Sequence, residues 1–260
     1  MKKLRYLILL PVPLFTLWFC TSSSGVKNKD DNNFKTQTYI PASNKVAVLE
    51  LFTSQGCSSC PAADRLLEKY STKDNVVTLS FHVDYWDRLG WKDPYSSKEF
   101  TKRQYAYASA LNSGVYTPQL VINGRSEMVG SDARKIDNTL KKVWSQEHAS
   151  DISIQSVKFE NGKAIINYTV AGNAAEASLN IAVIEKKTTT AIKDGENGGA
   201  TLNGTNVVRN FQTLRDVKEG ANSYTIDIPG GVDKNNASIV LYLQKSNNEI
   251  TAASQAAVSL

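Results

Sequence analysis

Two cysteines separated by two serines, Cys57 and Cys60, are the residues of this chain best suited to covalent chemistry. They follow an apolar run, Val46 to Phe52, which predicts a strand buried on both faces, and a short polar turn. A helical pattern begins behind them, with Pro61 in its first turn. The unpaired N–H groups at a helix start stabilise a thiolate, and Cys60 lies one turn along, close enough for a disulfide. The spacing predicts thiol–disulfide exchange, with Cys57 exposed as the attacking thiolate and Cys60 resolving the mixed disulfide.

Polar and aromatic residues follow the next predicted strand, 75–81. His82, at the end of that strand, is either a hydrogen-bonded structural residue or a group that tunes the thiolate, because histidine titrates near neutrality. Trp86 and Trp91 stand in an aromatic loop that is either a satellite core or the wall of a peptide-binding site. Two thiolates with His82 are also a candidate copper(I) set, since soft ligands select that ion. Copper handling is therefore a minor alternative to redox chemistry.

The N-terminal region is typical of an export signal. Basic residues precede an apolar run from Tyr6 to Phe19, which is shorter than the ~20 residues that span a bilayer. Cys20 ends this run and resembles the lipid-attachment cysteine of bacterial lipoproteins. We expect residues 1–20 to be a signal peptide ending in a lipidation cysteine and residues 21–44 to be a polar tether. The protein is then an exported lipoprotein, anchored in a membrane and facing the periplasm or the cell surface.

Charge and cysteine count narrow the functional class. The chain has 260 residues and a formal charge of +5, but part of that charge lies in the export signal and no basic stripe remains, so nucleic-acid binding is not predicted. If Cys20 is removed or acylated, Cys57 and Cys60 are the remaining thiols. An exported protein meets an oxidising compartment, and the loop that this pair closes is too short to stabilise a fold usefully. The pattern therefore favours redox work with no cofactor beyond the cysteine pair.

The order of predicted elements leads to a resemblance. From residue 45 to about 147 the pattern predicts strand, helix, strand, helix, strand, strand and helix. A capping box is predicted at Ser96-Ser97-Lys98-Glu99, and Asp132 or Ser131 is predicted to cap the last helix. With Cys57-Ser58-Ser59-Cys60 as its active-site motif, this order resembles a thioredoxin fold. More narrowly, ELFTSQGCSSCPAAD, HVDYWDRLGW and YTPQLVINGR resemble the exported bacterial proteins called domain of unknown function 1223.

The resemblance implies roles for further residues. It makes Thr117–Pro118 a cis-proline loop that brings an extended substrate alongside Cys57, with Tyr116 beside it. Gly56 stands where thioredoxins usually carry a tryptophan, so one wall of the usual substrate site is missing. Glu50 is the candidate for the acid that tunes the second cysteine, although the two-residue period of its strand points it to the other face.

The C-terminal part has a different character. Between residues 149 and 260, six segments have the pattern of strands and none has that of a helix, while Asp194 to Val208, rich in Gly, Asn and Thr, is predicted to be a long loop. The predicted fold class is an α/β thioredoxin-like domain at 45–148 followed by a small all-β sandwich domain at 149–260.

The predicted function is that of a thiol–disulfide oxidoreductase whose partners are the thiols and disulfides of exported proteins or peptides. The alternative from another class is a redox-inactive, thioredoxin-like surface binding protein, in which the β-rich part recognises a partner. Any membrane contact is expected to be made only through the lipid anchor.

Overall fold

The described part of the chain is built mostly from strands. The computed structural model describes residues 39–43 (by backbone alone), 45–147, 149–174 and 176–258. The strands within these residues are β1 (Tyr39–Ser43), β2 (Ala47–Thr53), β3 (Val76–His82), β4 (Gln119–Ile122), β5 (Ser126–Val129), β6 (Ser150–Glu160), β7 (Lys163–Gly172), β8 (Ala177–Ala191), β9 (Thr201–Leu214), β10 (Gly220–Asp227), β11 (Ala237–Lys245) and β12 (Ile250–Ala257). The α-helices are α1 (Cys60–Ser71), α2 (Lys98–Leu111) and α3 (Ala133–Trp144).

Strands from both halves of the chain join in one large mixed sheet. Its spatial order is β1-β12-β11-β8-β9-β3-β2-β4-β5, and a second, three-stranded sheet has the order β10-β7-β6. Strand β9 connects the two halves, because it pairs with β8 in antiparallel fashion and with β3 in parallel at Ser80 and Val207.

The predicted fold class is therefore wrong. A thioredoxin-like domain followed by a separate β-sandwich would require the sheet to end at β3, whereas it continues through β9 into the C-terminal strands. The error lies in β9. The stretch Asp194 to Val208 is predicted to be a loop, but its second half is strand. Asn and Gly are depleted in strands, so this sequence carries a weak strand signal. Gly204 is needed for close packing, as a Cβ there would lie 2.5 Å from the Thr188 hydroxyl.

The local predictions in the first half are closer to the structure. Strands β2 and β3 are buried along their whole length, as their apolar runs predict. Helix α3 is capped by Asp132, whose carboxylate accepts a hydrogen bond from the Lys135 N–H at 3.0 Å. Helix α2 is capped by Ser97, one residue after the predicted Ser96, and the Ser97 hydroxyl accepts from the Glu99 N–H at 3.2 Å.

The two faces of the large sheet are covered by different elements. Val48 and Phe52 of β2 pack in the cluster that contains the apolar side chains of α2. The alternate residues Leu49 and Leu51 pack with α1 and α3 on the opposite face. Farther along the same sheet, Ile181 of β8 packs against the three-stranded sheet. The disulfide motif thus lies at the end of a central, fully buried strand.

The N-terminal predictions fall largely outside the described residues. The predicted signal peptide, its Cys20 and the tether up to residue 38 are not among them, whereas Tyr39–Ser43 at the end of the tether forms β1 and pairs with β12. Among the described residues, no helix is both long and apolar enough to cross a membrane.

Candidate functional site

Cys57 and Cys60 form a disulfide at the end of β2. Their Cα atoms are 5.4 Å apart, and the Ser59 hydroxyl lies 3.4 Å from the sulfur of Cys57. Helix α1 begins at Cys60 with Ser59 at its N-cap, and Pro61 occupies its first turn as the sequence predicts. The disulfide is therefore placed where a strand passes into a helix N-terminus, which stabilises a thiolate when the bond opens.

The expectation that Cys57 is exposed is wrong. Both cysteines have zero solvent exposure, although Ser58 and Ser59 between them are exposed. The segment 192–200 between β8 and β9, which we call the cap, lies against the disulfide loop. The Asn197 side-chain amide donates to the carbonyl oxygens of Gln55 and Cys57 at 2.9 and 3.0 Å.

A buried ion pair fixes the turn that leads to Cys57. The imidazole Nδ1 of His82 lies 2.7 Å from a carboxylate oxygen of Asp93, and that same oxygen accepts the Gln55 N–H at 2.8 Å. Burial is the largest influence on the pKa of His82 and lowers it, but the charge and hydrogen bond of Asp93 and the charge of Asp64 together outweigh burial. The net pKa lies above the ordinary value. Burial acts to raise the pKa of Asp93, but the interaction with His82 nevertheless helps to hold it below the ordinary value. His82 is therefore a hydrogen-bonded residue at the strand end, the first of its two predicted roles, because its Nδ1 is bonded to Asp93. Its tuning of the thiolate stays a prediction.

Asp64 is a half-buried acid that the sequence did not single out. It lies on α1, one helical turn after Cys60, and interacts electrostatically with His82 and Asp93. Desolvation raises its pKa from 3.8 to about 6, against the attraction of His82. An acid that titrates near neutrality beside the disulfide is a place where pH acts on the site.

Replacing Asp64 with asparagine is expected to stabilise the protein at pH 8 but not at pH 3.5. The folded pKa lies above the unfolded one, so the carboxyl costs nothing while it is protonated in both states. The cost grows as pH rises from 3.8 to about 6 and is constant above that. The gain at pH 8 should be roughly 1–3 kcal/mol, because one pKa unit corresponds to about 1.4 kcal/mol and some solvent contact remains. Urea unfolding at both pH values measures it, with the exposed Glu68→Gln of the same helix as control. A gain that is equal at both pH values would contradict the assignment.

Trp86 links the disulfide loop to the proline loop. Its indole N–H donates to the Thr117 hydroxyl at 2.8 Å, and a Cβ on Gly56 would lie 3.3 Å from the Trp86 Cβ. Trp86 therefore stands against Gly56, where the resemblance predicts a missing wall. The side chain is partly exposed, so both predicted roles of this aromatic loop, packing and substrate contact, are compatible with its position.

The Thr117–Pro118 peptide bond is cis, as the resemblance implies. Pro118 approaches the first turns of α1, since a Cβ on Gly130 would lie 3.4 Å from the Pro118 Cβ and 3.1 Å from the Ala63 Cβ. The preceding Tyr116 is held by its hydroxyl, which donates to Glu127, and by its carbonyl, which accepts from Gln104. The proline loop is thus rigidly placed beside the cysteine-bearing end of α1.

Trp91 supports the turn and the cap more than it forms a free wall. Its indole N–H donates to the Gln55 side-chain oxygen at 3.1 Å. A Cβ on Gly195 of the cap would lie 3.2 Å from the Trp91 Cβ. Gln55 also donates to Thr190 at the end of β8, so the two halves of the chain meet directly around the disulfide turn.

Glu50 does not meet the cysteines. It points to the face covered by α2, where its carboxylate accepts from Arg103 at 2.8 Å and from Tyr242 at 2.8 Å and is hydrogen-bonded to Tyr107. Glu50 therefore points to the other face, as the two-residue period of its strand predicts, because neighbours on a strand face opposite sides.

Within the described ranges, no group of three or more His, Cys, Asp or Glu side chains is placed to hold a metal ion. The copper alternative stays a prediction, since the Nδ1 of His82 is bonded to Asp93 and its Nε2 is the atom that would bind a metal ion. Sequence reasoning did not identify Asp64, Asp93 and Asn197 as residues of the site. Of these, only Asp93 carried a signal, as the acid before Pro94 in the aromatic loop.

Comparisons with known proteins give a family and a shared fold. The family described as "Protein of unknown function (DUF1223)" matches residues 48–244. A crystal structure of a protein from Agrobacterium tumefaciens is 33% identical, with a TM-score of 0.63, and the alignment covers 82% of this chain and 93% of that one. A domain of the outer membrane lipoprotein Omp28 from Porphyromonas gingivalis is 12% identical over 43% of this chain and 89% of that one, with a TM-score of 0.27. No curated protein sequence matches the chain.

Proposed function

Because this chain belongs to the DUF1223 family of proteins of unknown function, we propose its activity from its own residues. It is a thiol–disulfide oxidoreductase that works through Cys57 and Cys60, and its partners are thiols or disulfides of proteins or peptides. The cysteine pair is its only redox group.

A closed disulfide beside a cis-proline loop is the observation that carries this proposal. Trp86 contacts Gly56 on one side of the loop and Thr117 on the other, and Pro118 approaches Ala63 in the first turn of α1. A peptide lying along residues 116–118 would therefore pass close to the disulfide. A sequence separation of three makes the bond a poor structural cross-link, which supports a chemical role.

The reaction balances without a cofactor. A thiolate of a substrate dithiol attacks the sulfur of Cys57, the Cys57–Cys60 bond breaks, and Cys60 leaves as a thiolate that takes up a proton. The second substrate thiolate then attacks the substrate sulfur of the mixed disulfide and releases Cys57 as a thiolate, which takes up the second proton when it is protonated by solvent. Two electrons and two protons pass from the substrate to the pair, and the reverse sequence reduces a disulfide.

The surroundings of Cys57 favour it as the group that exchanges. Its sulfur lies near the Ser59 hydroxyl and just before the N-terminus of α1, whose helix dipole stabilises negative charge. Cys60 is the first residue of α1, and its side chain is buried. We therefore assign attack to Cys57 and resolution to Cys60.

One observation favours a second function. Both cysteines have zero exposure, and a disulfide that never opens would suit a redox-inactive binding protein. Turnover separates the two functions. The full-length protein is mixed at catalytic amounts with a reduced peptide dithiol and an excess of a small disulfide, and peptide oxidation is followed by mass. Many turnovers per protein are expected, and a rate equal to that without protein would favour the binding function.

Trp86→Ala is expected to slow exchange with a peptide thiol roughly tenfold while leaving exchange with a small thiol unchanged. An aromatic anchor contributes to binding a peptide but not to attack by a molecule that needs no anchoring. Rates of mixed-disulfide formation with both thiols measure the effect. Tyr105→Ala is the control, because it removes a tyrosine that is 56% exposed on α2. Equal slowing with both thiols, together with lower stability, would assign Trp86 to packing instead.

The place of action follows from the N-terminal sequence. We propose that the protein is exported and anchored by a lipid on Cys20, with residues 21–38 as part of the tether, because the signal pattern ends at that cysteine. An oxidising compartment would supply partners whose cysteines exchange between thiol and disulfide.

A further inference from the structure

The cap contacts the disulfide loop through backbone groups that a substrate would also use. The Asn197 amide donates to the carbonyl oxygens of Gln55 and Cys57, and the Glu196 carboxylate accepts the Ser58 N–H at 3.0 Å. The hydrogen bond to Ser58 lowers the pKa of Glu196, which keeps the carboxylate charged. Two acceptors and one donor of the loop are therefore occupied from within the chain.

The tip of the cap is built so that it can be displaced. Its base is closed by two hydrogen bonds, from the Ile192 N–H to the Ala200 carbonyl and from the Gly199 N–H to the Ile192 carbonyl, and is anchored by the buried Ile192 side chain. Between these residues the sequence is KDGENGG, and Glu196 is exposed. Apart from the contacts of Gly195 with the 89–91 segment, the Asn197 and Glu196 hydrogen bonds connect the tip to the disulfide loop. Hydrogen bonds at such a partly exposed place contribute little and exchange readily with other partners.

We propose that Glu196 and Asn197 form a latch that determines the specificity of Cys57. While the latch is closed, Cys57 is buried. A partner opens it by supplying donors to the Gln55 and Cys57 carbonyls and an acceptor to the Ser58 N–H. An extended peptide backbone presents both kinds of group at the spacing of a strand, whereas a small thiol does not present them in that arrangement, so the latch selects extended peptide segments. This inference rests on the proposed exchange at Cys57.

The test measures access to the disulfide separately from turnover. Reduction of the oxidised full-length protein by tris(2-carboxyethyl)phosphine is followed by alkylation and mass. The phosphine attacks one sulfur, the S–S bond breaks, and water delivers its oxygen to phosphorus, which leaves two thiols and a phosphine oxide. Glu196→Ala/Asn197→Ala is expected to be reduced roughly tenfold faster than wild type, a factor in line with the loss of ordinary hydrogen bonds.

A matched control and an independent variant make the result decisive. Asn203→Ala removes an amide on the same hairpin, bonded to Thr189, and should be reduced at the wild-type rate. Gly195→Val should accelerate reduction as the double variant does, because its φ is +76° and a Cβ would lie 3.2 Å from the Trp91 Cβ. The preference for a peptide thiol over a small thiol should shrink in both opened variants. Equal reduction rates in wild type and both opened variants would overturn the latch.

The two proposals fail in different ways. Faster phosphine reduction of the opened variants, with no turnover by any form, would reject the oxidoreductase and keep the latch as a cover of the disulfide. Turnover by wild type, with equal phosphine reduction of all variants, would reject the latch alone.

Discussion

Replacing Arg103 with methionine is expected to lower the free energy of unfolding by about 3–5 kcal/mol, because it leaves a buried carboxylate without its cation. Glu50 has zero exposure, and Arg103 donates to it from Nε at 2.8 Å. Two tyrosine hydroxyls complete the site, and burial raises the pKa of both Tyr107 and Tyr242, so they remain neutral donors. Tyr242 belongs to β11, and the network therefore joins the two halves of the chain.

Urea unfolding of wild type and variant measures this loss. The control is Lys102→Met, which removes the neighbouring cation of an exposed i,i+3 pair with Glu99 and should cost less than about 0.5 kcal/mol. Adding Glu50→Gln to Arg103→Met should recover part of the loss, since the buried charge is then gone. Similar small losses for Arg103→Met and Lys102→Met would contradict the role given to the network.

Cys57→Ser is expected to abolish turnover, and Cys60→Ser is expected to halt the reaction at a mixed disulfide on Cys57. A serine hydroxyl cannot exchange with a disulfide, so the first variant has no attacking group. The second variant retains the attacking thiolate but lacks the group that displaces the captured partner. The loss should reach the uncatalysed rate in both variants.

The two variants differ in what accumulates. Mass analysis after incubation with a peptide disulfide should show one peptide attached to Cys57 in Cys60→Ser and no attached peptide in Cys57→Ser. Ser71→Ala, at the far end of α1, is the control and should turn over as wild type does. A peptide trapped on Cys60 in Cys57→Ser would reverse the assigned roles.

Local sequence patterns predicted the elements that carry the site. The apolar runs of β2 and β3 predict those strands, and the N-cap residue Asp132 predicts the start of α3. In each case the signal lies in neighbouring residues, so the sequence was sufficient. Helix α1 is another such case, with Pro61 marking its start. The cis bond at Pro118 entered through resemblance alone.

Long-range pairing could not be predicted in the same way. The pairing of Ser80 with Val207 depends on β9, whose Asn and Gly residues hide its strand character. The contact between Cys57 and Asn197 joins residues 140 positions apart in sequence and has no local signal. The predicted fold class and the predicted exposure of Cys57 were wrong for the same reason. C-terminal strands complete the sheet of the N-terminal half, and the cap between two of them lies against its disulfide loop.

The most direct test of the account is pH-dependent alkylation of the reduced protein, with each cysteine identified by peptide mass. The account predicts that Cys57 reacts first and that its reaction persists well below pH 8.5, the ordinary pKa of a thiol, because the helix N-terminus stabilises its thiolate. First reaction at Cys60, or two thiols that both titrate at the ordinary pKa, would contradict the assignment of Cys57 as the exchanging group.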